Sequence, residues 1–420
     1  KNLSAGRVQT PVLGWIIRRH IDNKYSKAMR LTVALVNNEQ ETFIVPLNSD
    51  PDTARQESKK LRNYRKSHDG LKVSYKKLEE VKETVNPPPP YTTDAMLTDA
   101  ANILRLDVNT TMRLAQDLFE SGLITYHRTD STRVSAVGLS IAKEYISNKF
   151  GEEEYVGRTW AMSEEGAHEC IRPTRPIDDE ELRTLISTGV INVQLTNRHI
   201  QLYRLIFRRF MASQMKPAVV EKAKYKVLLH NEGGELASKE TERVVNIAEP
   251  GFQLILQSIR KREALPETDV DVASVETKTV RTVYPYREGD IIAEMKRKHI
   301  GRPSTYAKII DTLLKRGYVT AIGSTKYLVP KRLGILAYIC LTGDDYVREK
   351  LPPRREEDKK ELDETRTKCA NKELGKLVSE DRTKQLEEEM DSVEMGKMNY
   401  KDILNQLLNE MKELELFSFS

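Results

Sequence analysis

Cysteine is scarce in this sequence, and its three cysteines lie far apart along the 420 residues. Cys170, Cys340 and Cys369 form no CxxC pair, which excludes a zinc ribbon or finger and argues against a disulfide framework. Long apolar runs are lacking too: the longest, residues 333–341, has nine residues, whereas a membrane-spanning helix needs about 20. The sequence therefore predicts a protein of the reducing cytoplasm with no membrane partner.

Motifs for ATP and for metal binding are also missing. No GxxxxGKS or GxxxxGKT P-loop is present, and no acidic pair forms a recognisable metal motif, so no metal ligand is predicted. Residue 1 is a lysine, and Pro11 and Gly14 interrupt the only early apolar stretch, which excludes a signal peptide. The chain is interpreted as a piece of a longer protein.

Charge is abundant but unevenly placed. Charged residues make up 31% of the chain and hydrophobic residues 39%, enough for a sizeable core. The net charge is only +5, yet residues 1–30 carry seven Lys and Arg against Asp22 alone. Such local basic density suits a nucleic-acid backbone, although a solvated surface explains it equally well. The many Lys, Arg and Glu residues are typical of thermophilic proteins.

Hydrophobic patterning divides the chain into β-rich and helical parts. Four prolines at 87–90 mark a stiff boundary, after which the pattern becomes helical until about residue 214. Strand-like patterns precede this helical part and return after it, and the chain is helical again from about 287. A β-rich arm interrupted by a helical insert is the simplest architecture.

The helical insert begins with the outline of a winged helix-turn-helix. The pattern predicts a helix over 93–106, a second over 109–121 capped by Asn109, then Gly122 and a strand over 123–126. The stretch 118–126 aligns with 313–321, which indicates two winged-helix-like units or a coincidence of helix ends. Only the first unit has a tyrosine, Tyr126, where the second has Ala321.

Tyr126 stands in a neighbourhood that suits phosphoryl transfer. On a strand, Tyr126 and Arg128 would point to the same side, so the guanidinium could stabilise a phenolate or a phosphoryl transition state. Asp130 is predicted to pair with Arg128 or Arg133, and Thr129 offers a hydroxyl to phosphate oxygens. A tyrosine buried in a core or an interface remains the alternative.

Three further clusters combine polar side chains with helix starts. In residues 165–174, His168 is a candidate proton donor or phosphate ligand, while a metal site or a Cys170 nucleophile is a weaker alternative. Residues 4–11 and 300–307 each place a glycine, an arginine and hydroxyls before a helix, an arrangement typical of phosphate sites.

Together these clusters resemble the type IA DNA topoisomerases over essentially the whole chain. The strings that carry the resemblance are SAGRVQTP (4–11), PPYTT (89–93), ITYHRTDS (124–131), EGAHECIRPT (165–174), RRFMASQMKPA (208–218) and IGRPSTYA (300–307). The cysteine in HECIRPT, the continuation RPID (175–178) and the lead-in to SAGRVQTP resemble in particular the topoisomerase half of reverse gyrase.

The resemblance implies a role for each motif. Tyr126 would be the nucleophile that forms a 5′-phosphotyrosine link, and Arg128 would stabilise the scissile phosphate. The implied contacts with a single DNA strand are Ser4, Arg7, Gln9, Thr129, His168, Arg172, Arg302, Ser304 and Thr305.

The resemblance also implies an α+β multidomain toroid. Residues 1–30 and 283–420 would form a helical strand-binding domain, 31–85 and 215–282 a β-rich arch, and 86–214 a winged-helix-like catalytic domain.

The family's other parts are not found in this sequence. Mg²⁺ would be held by a Toprim domain and ATP by a helicase module, in cis or on a second chain. The expected function is the cleavage and gate portion of a topoisomerase that acts on single-stranded and underwound duplex DNA. The alternatives are a non-catalytic single-strand-binding piece and a structural subunit in which Tyr126 is a core residue.

Overall fold

The computed structural model describes residues 6–48, 50–67, 70–160, 168–351, 360 and 372–413. Its α-helices are α1 (Gln9–Tyr25), α2 (Pro51–Asn63), α3 (Thr93–Asp99), α4 (Val108–Glu120), α5 (Ala136–Phe150), α6 (Asp179–Ser187), α7 (Asn197–Ser213), α8 (Glu288–Arg297), α9 (Tyr306–Lys315), α10 (Arg332–Thr342), α11 (Asp345–Lys350), α12 (Lys372–Leu377), α13 (Glu380–Glu394) and α14 (Tyr400–Glu413). A π-helical turn, Ala100–Leu104, follows α3, and short 3-10 turns lie at Glu152–Glu154 and Gly251–Leu254.

The strands form one large antiparallel sheet and one small hairpin. They are β1 (Lys27–Leu35), β2 (Gln40–Pro46), β3 (Lys72–Val85), β4 (Ala218–Asn231), β5 (Gly234–Glu249), β6 (Val270–Arg281), β7 (Val319–Ile322) and β8 (Tyr327–Pro330). The six-stranded sheet has the order β2-β1-β6-β3-β4-β5, and β7 pairs with β8.

The register of the large sheet explains how the chain passes between its helical parts. The last residue of β3, Val85, pairs with the first of β4, Ala218, so the helical insert leaves and rejoins the sheet at one residue pair. In the same way, Lys27 of β1 pairs with Arg281 of β6, where the sheet itself joins the remaining helices. The large sheet thus lies between two helical bodies, with two chain crossings to each.

Side chains tie the two edge strands of the large sheet together. Glu41 of β2 is only 5% exposed, and it accepts hydrogen bonds from Lys239 Nζ of β5 (2.5 Å) and from Tyr75 Oη (3.3 Å). Lys239 Nζ also donates to the Thr42 carbonyl (2.9 Å). Because a buried carboxylate is costly unless it is paired, this contact fixes the curl of the sheet around its own apolar core.

Helix α1 lies at the centre of the body that contains α8 to α14. Residues 10–17 are all buried, and the helix packs against α9, α10 and β8. Gly14 permits the close approach of α10, because a Cβ atom there would lie 2.8 Å from the hydroxyl of Tyr338.

The predicted strand over 123–126 is wrong. Only Ile124 forms an isolated bridge, with Pro173, in place of a strand. The pairing does not extend into a ladder, because the N–H groups on either side of this bridge bond elsewhere. The Leu123 N–H donates to the Leu118 carbonyl and the Arg172 N–H to the Thr125 hydroxyl. The aligned second unit does form a hairpin, β7 and β8, because its strands are joined by a short turn.

The start of α4 also differs from prediction. The cap is Asp107, whose carboxylate accepts from the Thr110 N–H (2.8 Å), while Asn109 lies inside the helix and donates to Asp311 (3.1 Å). The preceding helix ends early, since Arg105 adopts a left-handed conformation with φ of 58° after the π-helical turn.

We expect Asp107→Ala to lower the free energy of unfolding by about 1 kcal/mol, because the first turn of α4 loses its cap. Asp107→Asn retains an acceptor and should cost less. Denaturant unfolding measures both, with Asn109→Ala as the control. A larger loss for Asn109→Ala than for Asp107→Ala would contradict this assignment of the cap.

Candidate active site

The loop that carries Tyr126 is clamped from two sides. The Thr93 hydroxyl donates to the carbonyls of His127 (2.7 Å) and Thr129 (3.0 Å), and it accepts from the Thr129 N–H (2.9 Å). On the other side, the Thr125 N–H donates to the Arg172 carbonyl (2.9 Å). The clamp fixes the backbone of this loop although it is not a strand.

Side chains alternate along this loop. His127 and Thr129 are buried, whereas Arg128 is exposed and Tyr126 is half-buried. That Tyr126 and Arg128 point to the same side stays a prediction, since the loop bends at residues 127 and 128. Thr129 faces inward, and its hydroxyl accepts from the Ser131 N–H (3.0 Å), so this residue supports the loop from within.

Three rings surround the ring of Tyr126. Phe119 packs edge-on with centroids 5.3 Å apart, His127 at 5.6 Å and His168 at 5.3 Å. His168 is exposed and belongs to a separate segment, as the sequence predicted for a residue near Tyr126. The contacts of Phe119 and His127 with Tyr126 were not predicted. Phe119 lies at the end of α4, seven residues before Tyr126, and this spacing shows no helical or strand periodicity that would indicate a contact.

His127 is a buried imidazole with no hydrogen-bond partner on either ring nitrogen among the described atoms. Burial lowers the pKa of His127 to about 4, and the nearby Arg128 charge acts in the same direction. The ring beside Tyr126 is therefore neutral at physiological pH.

Arg172 is engaged entirely within the protein. Its guanidinium donates to both oxygens of Glu169 (2.9 and 2.7 Å), to the Pro173 carbonyl (2.9 Å) and to Ser135 Oγ (3.3 Å), and the residue is 5% exposed. Burial alone would raise the pKa of Glu169, but hydrogen bonds from Arg172 and Ser135 lower it. In this structure Arg172 fixes the segment that carries His168.

The motif at 4–11 is described from Gly6 onward, and Ser4 lies outside the described residues. Gln9 opens α1, and its side-chain oxygen accepts from Arg316 (2.5 Å). The carbonyl of Arg7 accepts from the Thr383 hydroxyl (3.0 Å) of α13. The Nε atom of Arg7 is buried without a partner, and burial lowers the pKa of Arg7.

The motif at 300–307 lies against the acidic face of α13. Arg302 donates to the side chain (3.0 Å) and carbonyl (3.0 Å) of Glu387 and pairs with Asp391, yet its side chain remains 38% exposed. Thr305 stabilises the turn by accepting from the Arg302 N–H (2.9 Å). Ser304 is exposed.

Two of the predicted motifs meet at α13. Arg302 of the motif at 300–307 donates to Glu387, and the Arg7 carbonyl of the motif at 4–11 accepts from the Thr383 hydroxyl. Burial raises the pKa of Tyr306, and the charges of nearby acids, including Asp130, act in the same direction. Asp130 makes no ion pair with Arg128 or Arg133 in the described part of the chain, contrary to expectation.

The alternative chemistries of the His168 segment lack support. Burial raises the pKa of Cys170 to about 12, so its thiol is neither a ready nucleophile nor a metal ligand. The Glu169 carboxylate is occupied by Arg172. Across the ranges that the structure describes, no three His, Cys, Asp or Glu side chains lie close enough to hold a metal ion.

Polar contacts join the helical insert to the helices after residue 283. Glu288 accepts from the Val108 N–H (2.8 Å) at the start of α4, and burial raises the pKa of Glu288. Lys326 pairs with Asp107 (3.7 Å) beside a small cleft at the same junction. Lys296 pairs with Asp94 (3.7 Å).

The fold and the convergence of these motifs define a class. The structure matches that of full-length topoisomerase I from Thermotoga maritima with a TM-score of 0.67 and 27% identity, covering 99% of this chain and 63% of that one. A DNA topoisomerase family model matches residues 1–372. The chain belongs to the DNA topoisomerase family, and the predicted resemblance to its type IA members is confirmed.

The curated relatives of this chain include reverse gyrases. The chain is 44% identical to the reverse gyrase of Pyrobaculum aerophilum over 414 residues, which are 98% of this chain and 30% of that protein. It is 43% identical to the reverse gyrase of Pyrococcus furiosus, with the same shares covered. The chain thus spans about a third of the length of the curated relatives it matches. No helix within the described ranges is long and apolar enough to cross a membrane.

We expect His127 to make the protein sensitive to acid. Between pH 6.5 and about 4 the unfolded chain takes up a proton at His127 that the folded chain excludes, so the free energy of unfolding falls as pH is lowered through this window. His127→Met removes this term, so its melting temperature should fall less between pH 7 and pH 5.

The control for this prediction is His168→Gln, which removes an exposed imidazole that is solvated in both states. Its melting temperature should follow the pH dependence of the unmodified chain. An unchanged slope in His127→Met would show that another group causes the acid sensitivity.

Proposed function

We propose that this chain is the cleavage and gate portion of a type IA DNA topoisomerase of the reverse gyrase kind. It would cut and rejoin one DNA strand through a 5′-phosphotyrosine intermediate and so change DNA supercoiling. The observation that carries the proposal is the clamped loop of Tyr126, enclosed by Phe119, His127 and His168 with Arg128 exposed beside it, in a chain of this family.

The proposed step is a transesterification. The Tyr126 phenol loses its proton as its oxygen attacks the scissile phosphorus; the bond from phosphorus to the 3′ oxygen breaks, and that oxygen gains a proton. Rejoining reverses each change, so no energy source is consumed. A free phenol has a pKa near 10, and Arg128 would stabilise both the phenolate and the charge that develops on the phosphate. The exposed His168 would donate a hydrogen bond or a proton to a phosphate oxygen.

We propose that a strand runs across α13 towards Tyr126. Arg7 lies just before α1 and Arg302 just before α9, Gln9 opens α1, and Arg302 keeps an exposed guanidinium. Ser304 is exposed beside it, and Thr305 holds its turn. Arg172 and Thr129 would act as positioning residues, since their polar groups are already used within the protein.

We propose a gate between the helical insert and the helices after 283, where α3 also packs on α8 within one shared apolar core. The polar contacts at this junction support it, since water can replace those of Glu288 with Val108, Lys326 with Asp107 and Lys296 with Asp94 on separation. We propose accordingly that 86–214 is the catalytic domain, 31–85 and 215–282 the arch, and 1–30 with 283–420 the strand-binding domain of a toroid.

The described residues do not fit a magnesium site, since no three His, Cys, Asp or Glu side chains among them lie close enough to hold a metal ion. We therefore propose no step through Mg²⁺ on this chain. Mg²⁺ and ATP would bind to Toprim and helicase parts, in cis or on a second chain, and the matching share of 30% of the relatives' length leaves room for both.

Tyr126→Phe should abolish the covalent adduct with DNA while leaving strand binding unchanged, because the enclosure of rings keeps its shape without the hydroxyl. The measurement is a denaturing gel of end-labelled single-stranded DNA with a Toprim-bearing partner supplied in trans or fused before Lys1. Tyr306→Phe, at a buried tyrosine that is 3% exposed, is the matched control and should retain the adduct.

An adduct that persists in Tyr126→Phe would refute the assignment of the nucleophile. Binding without any adduct in the complemented unmodified protein would favour the non-catalytic single-strand-binding alternative. The chain alone should not relax negatively supercoiled plasmid with Mg²⁺.

Arg302→Ala should weaken binding of single-stranded DNA about equally for all sequences and reduce the slope of log K against log salt by roughly one ion. Fluorescence anisotropy on two oligonucleotides of unrelated sequence measures both effects. Arg297→Ala, at an exposed arginine of α8 paired with Glu294, is the control and should change neither. A loss confined to one sequence would contradict a phosphate contact.

A further inference from the structure

We propose a second single-strand nucleic-acid site at the far end of α1, where bases would stack on three exposed tyrosines. This tyrosine platform consists of Tyr25, Tyr284 and Tyr346, which are 55%, 54% and 42% exposed. The proposal of this second site rests on the proposed function only in that DNA is the ligand. It does not depend on the chemistry at Tyr126.

The three tyrosines lie around the C-terminal half of α1. Tyr25 ends α1, Tyr284 follows β6, and Tyr346 lies on α11. The side chain of Arg19 in α1 donates to the Tyr284 carbonyl (2.9 Å), and Arg18 lies over the Tyr346 ring at 5.5 Å from its centroid. The C-terminal half of α1 therefore contacts both of the other tyrosines.

A cation or a second ring supports each tyrosine ring. Lys24 lies 5.4 Å and Lys350 5.9 Å from the centroid of the Tyr25 ring. Tyr284 stacks on Tyr327 with centroids 6.0 Å apart and an interplanar angle of 13°. Such rings are held in place before a ligand arrives, which reduces the entropy lost on binding.

The charge around the platform suits a phosphate backbone. From residue 18 to residue 27, α1 and its end carry Arg18, Arg19, Lys24 and Lys27 against Asp22 alone. The Asp344 carboxylate pairs with Arg18 at 2.6 Å and is 10% exposed, whereas the Arg18 side chain stays 50% exposed. Two exposed acids lie nearby, Glu349, which pairs with Lys350, and Asp345, which precedes Tyr346.

Exposed aromatic rings alternating with cations favour a single strand over a duplex, because only an unpaired base can lie flat on a side chain. They favour nucleic acid over an apolar protein partner, because the platform rings are tyrosines supported by charges. Recognition would be independent of sequence, since every base has a π-face.

The length of α1 sets the distance from the candidate active site. Gln9 opens the helix and Tyr25 ends it, so at 1.5 Å per residue the platform lies about 24 Å from Gln9. At the axial rise of about 3.4 Å per nucleotide of a B-form strand, this corresponds to about seven nucleotides, and an extended single strand needs fewer. A strand held at Arg7 and Gln9 would reach the platform only if it continued across this distance.

The test compares a 5-nucleotide with a 20-nucleotide oligothymidylate by fluorescence anisotropy. Replacing Tyr25, Tyr284 and Tyr346 together by alanine should weaken the 20-mer at least tenfold, since one stacked base contributes about 1–3 kcal/mol, and should change the 5-mer less than twofold. The triple Tyr→Phe variant keeps the rings and should bind as the unmodified chain does. Tyr400→Ala, at a tyrosine 57% exposed on α14, is the matched control.

Photo-crosslinking gives a second readout that does not depend on affinity. A 20-mer with 5-iododeoxyuridine at each position in turn should crosslink to Tyr284 or Tyr25 in the unmodified chain. Unchanged 20-mer affinity in the triple alanine variant, or an equal loss for both lengths, would overturn the proposal. The platform variants should still form the Tyr126 adduct, so this outcome is separable from failure of the proposed function.

Discussion

The candidate active site depends on one buried threonine. Thr93 bonds the backbone of the Tyr126 loop on both sides of Arg128, through the carbonyls of His127 and Thr129 and the N–H of Thr129. It is fully buried, so these bonds are protected from exchange with water. Without them the loop would be held mainly through Thr125, whose N–H donates to the Arg172 carbonyl and whose hydroxyl bonds the backbone of Cys170 and Arg172. The position of Tyr126 is therefore fixed from the start of α3.

A second constraint acts from the other end of the chain. Glu387 and Asp391, one turn apart on α13, hold the Arg302 guanidinium, and Thr383 of the same helix binds the Arg7 carbonyl. The helix thus aligns two arginines that are about 300 residues apart in sequence. Carboxylates at this place also limit the affinity of those arginines for any other anion, since each phosphate must compete with them.

The sequence predicted motifs and element types better than it predicted contacts. The helical part between the prolines at 87–90 and about residue 214, and the return to β structure after it, follow from periodicity, which local residues determine. The strand at 123–126 failed because pairing depends on a partner, and the N–H groups of Leu123 and Arg172 bond elsewhere. The ring enclosure and the acidic face of α13 were missed because they join residues distant in sequence.

The connections of the helical insert differ sharply on its two sides. Towards the sheet it is covalently attached at adjacent residues, Val85 and Ala218, and the polyproline stretch stiffens one of the two crossings. Towards the helices after 283 it is held without a covalent link, by hydrogen bonds and ion pairs such as those of Glu288 and Lys326 and by apolar packing of α3 on α8. The polar contacts contribute little once water can take their place, whereas the apolar surface must be exposed on separation. Separation of the insert from the rest of the molecule would therefore occur at this junction, with the sheet as the connection that stays intact. Tyr126 lies on the insert whereas Arg7 and Arg302 lie across these contacts, so the same movement would part the proposed nucleophile from the proposed strand contacts.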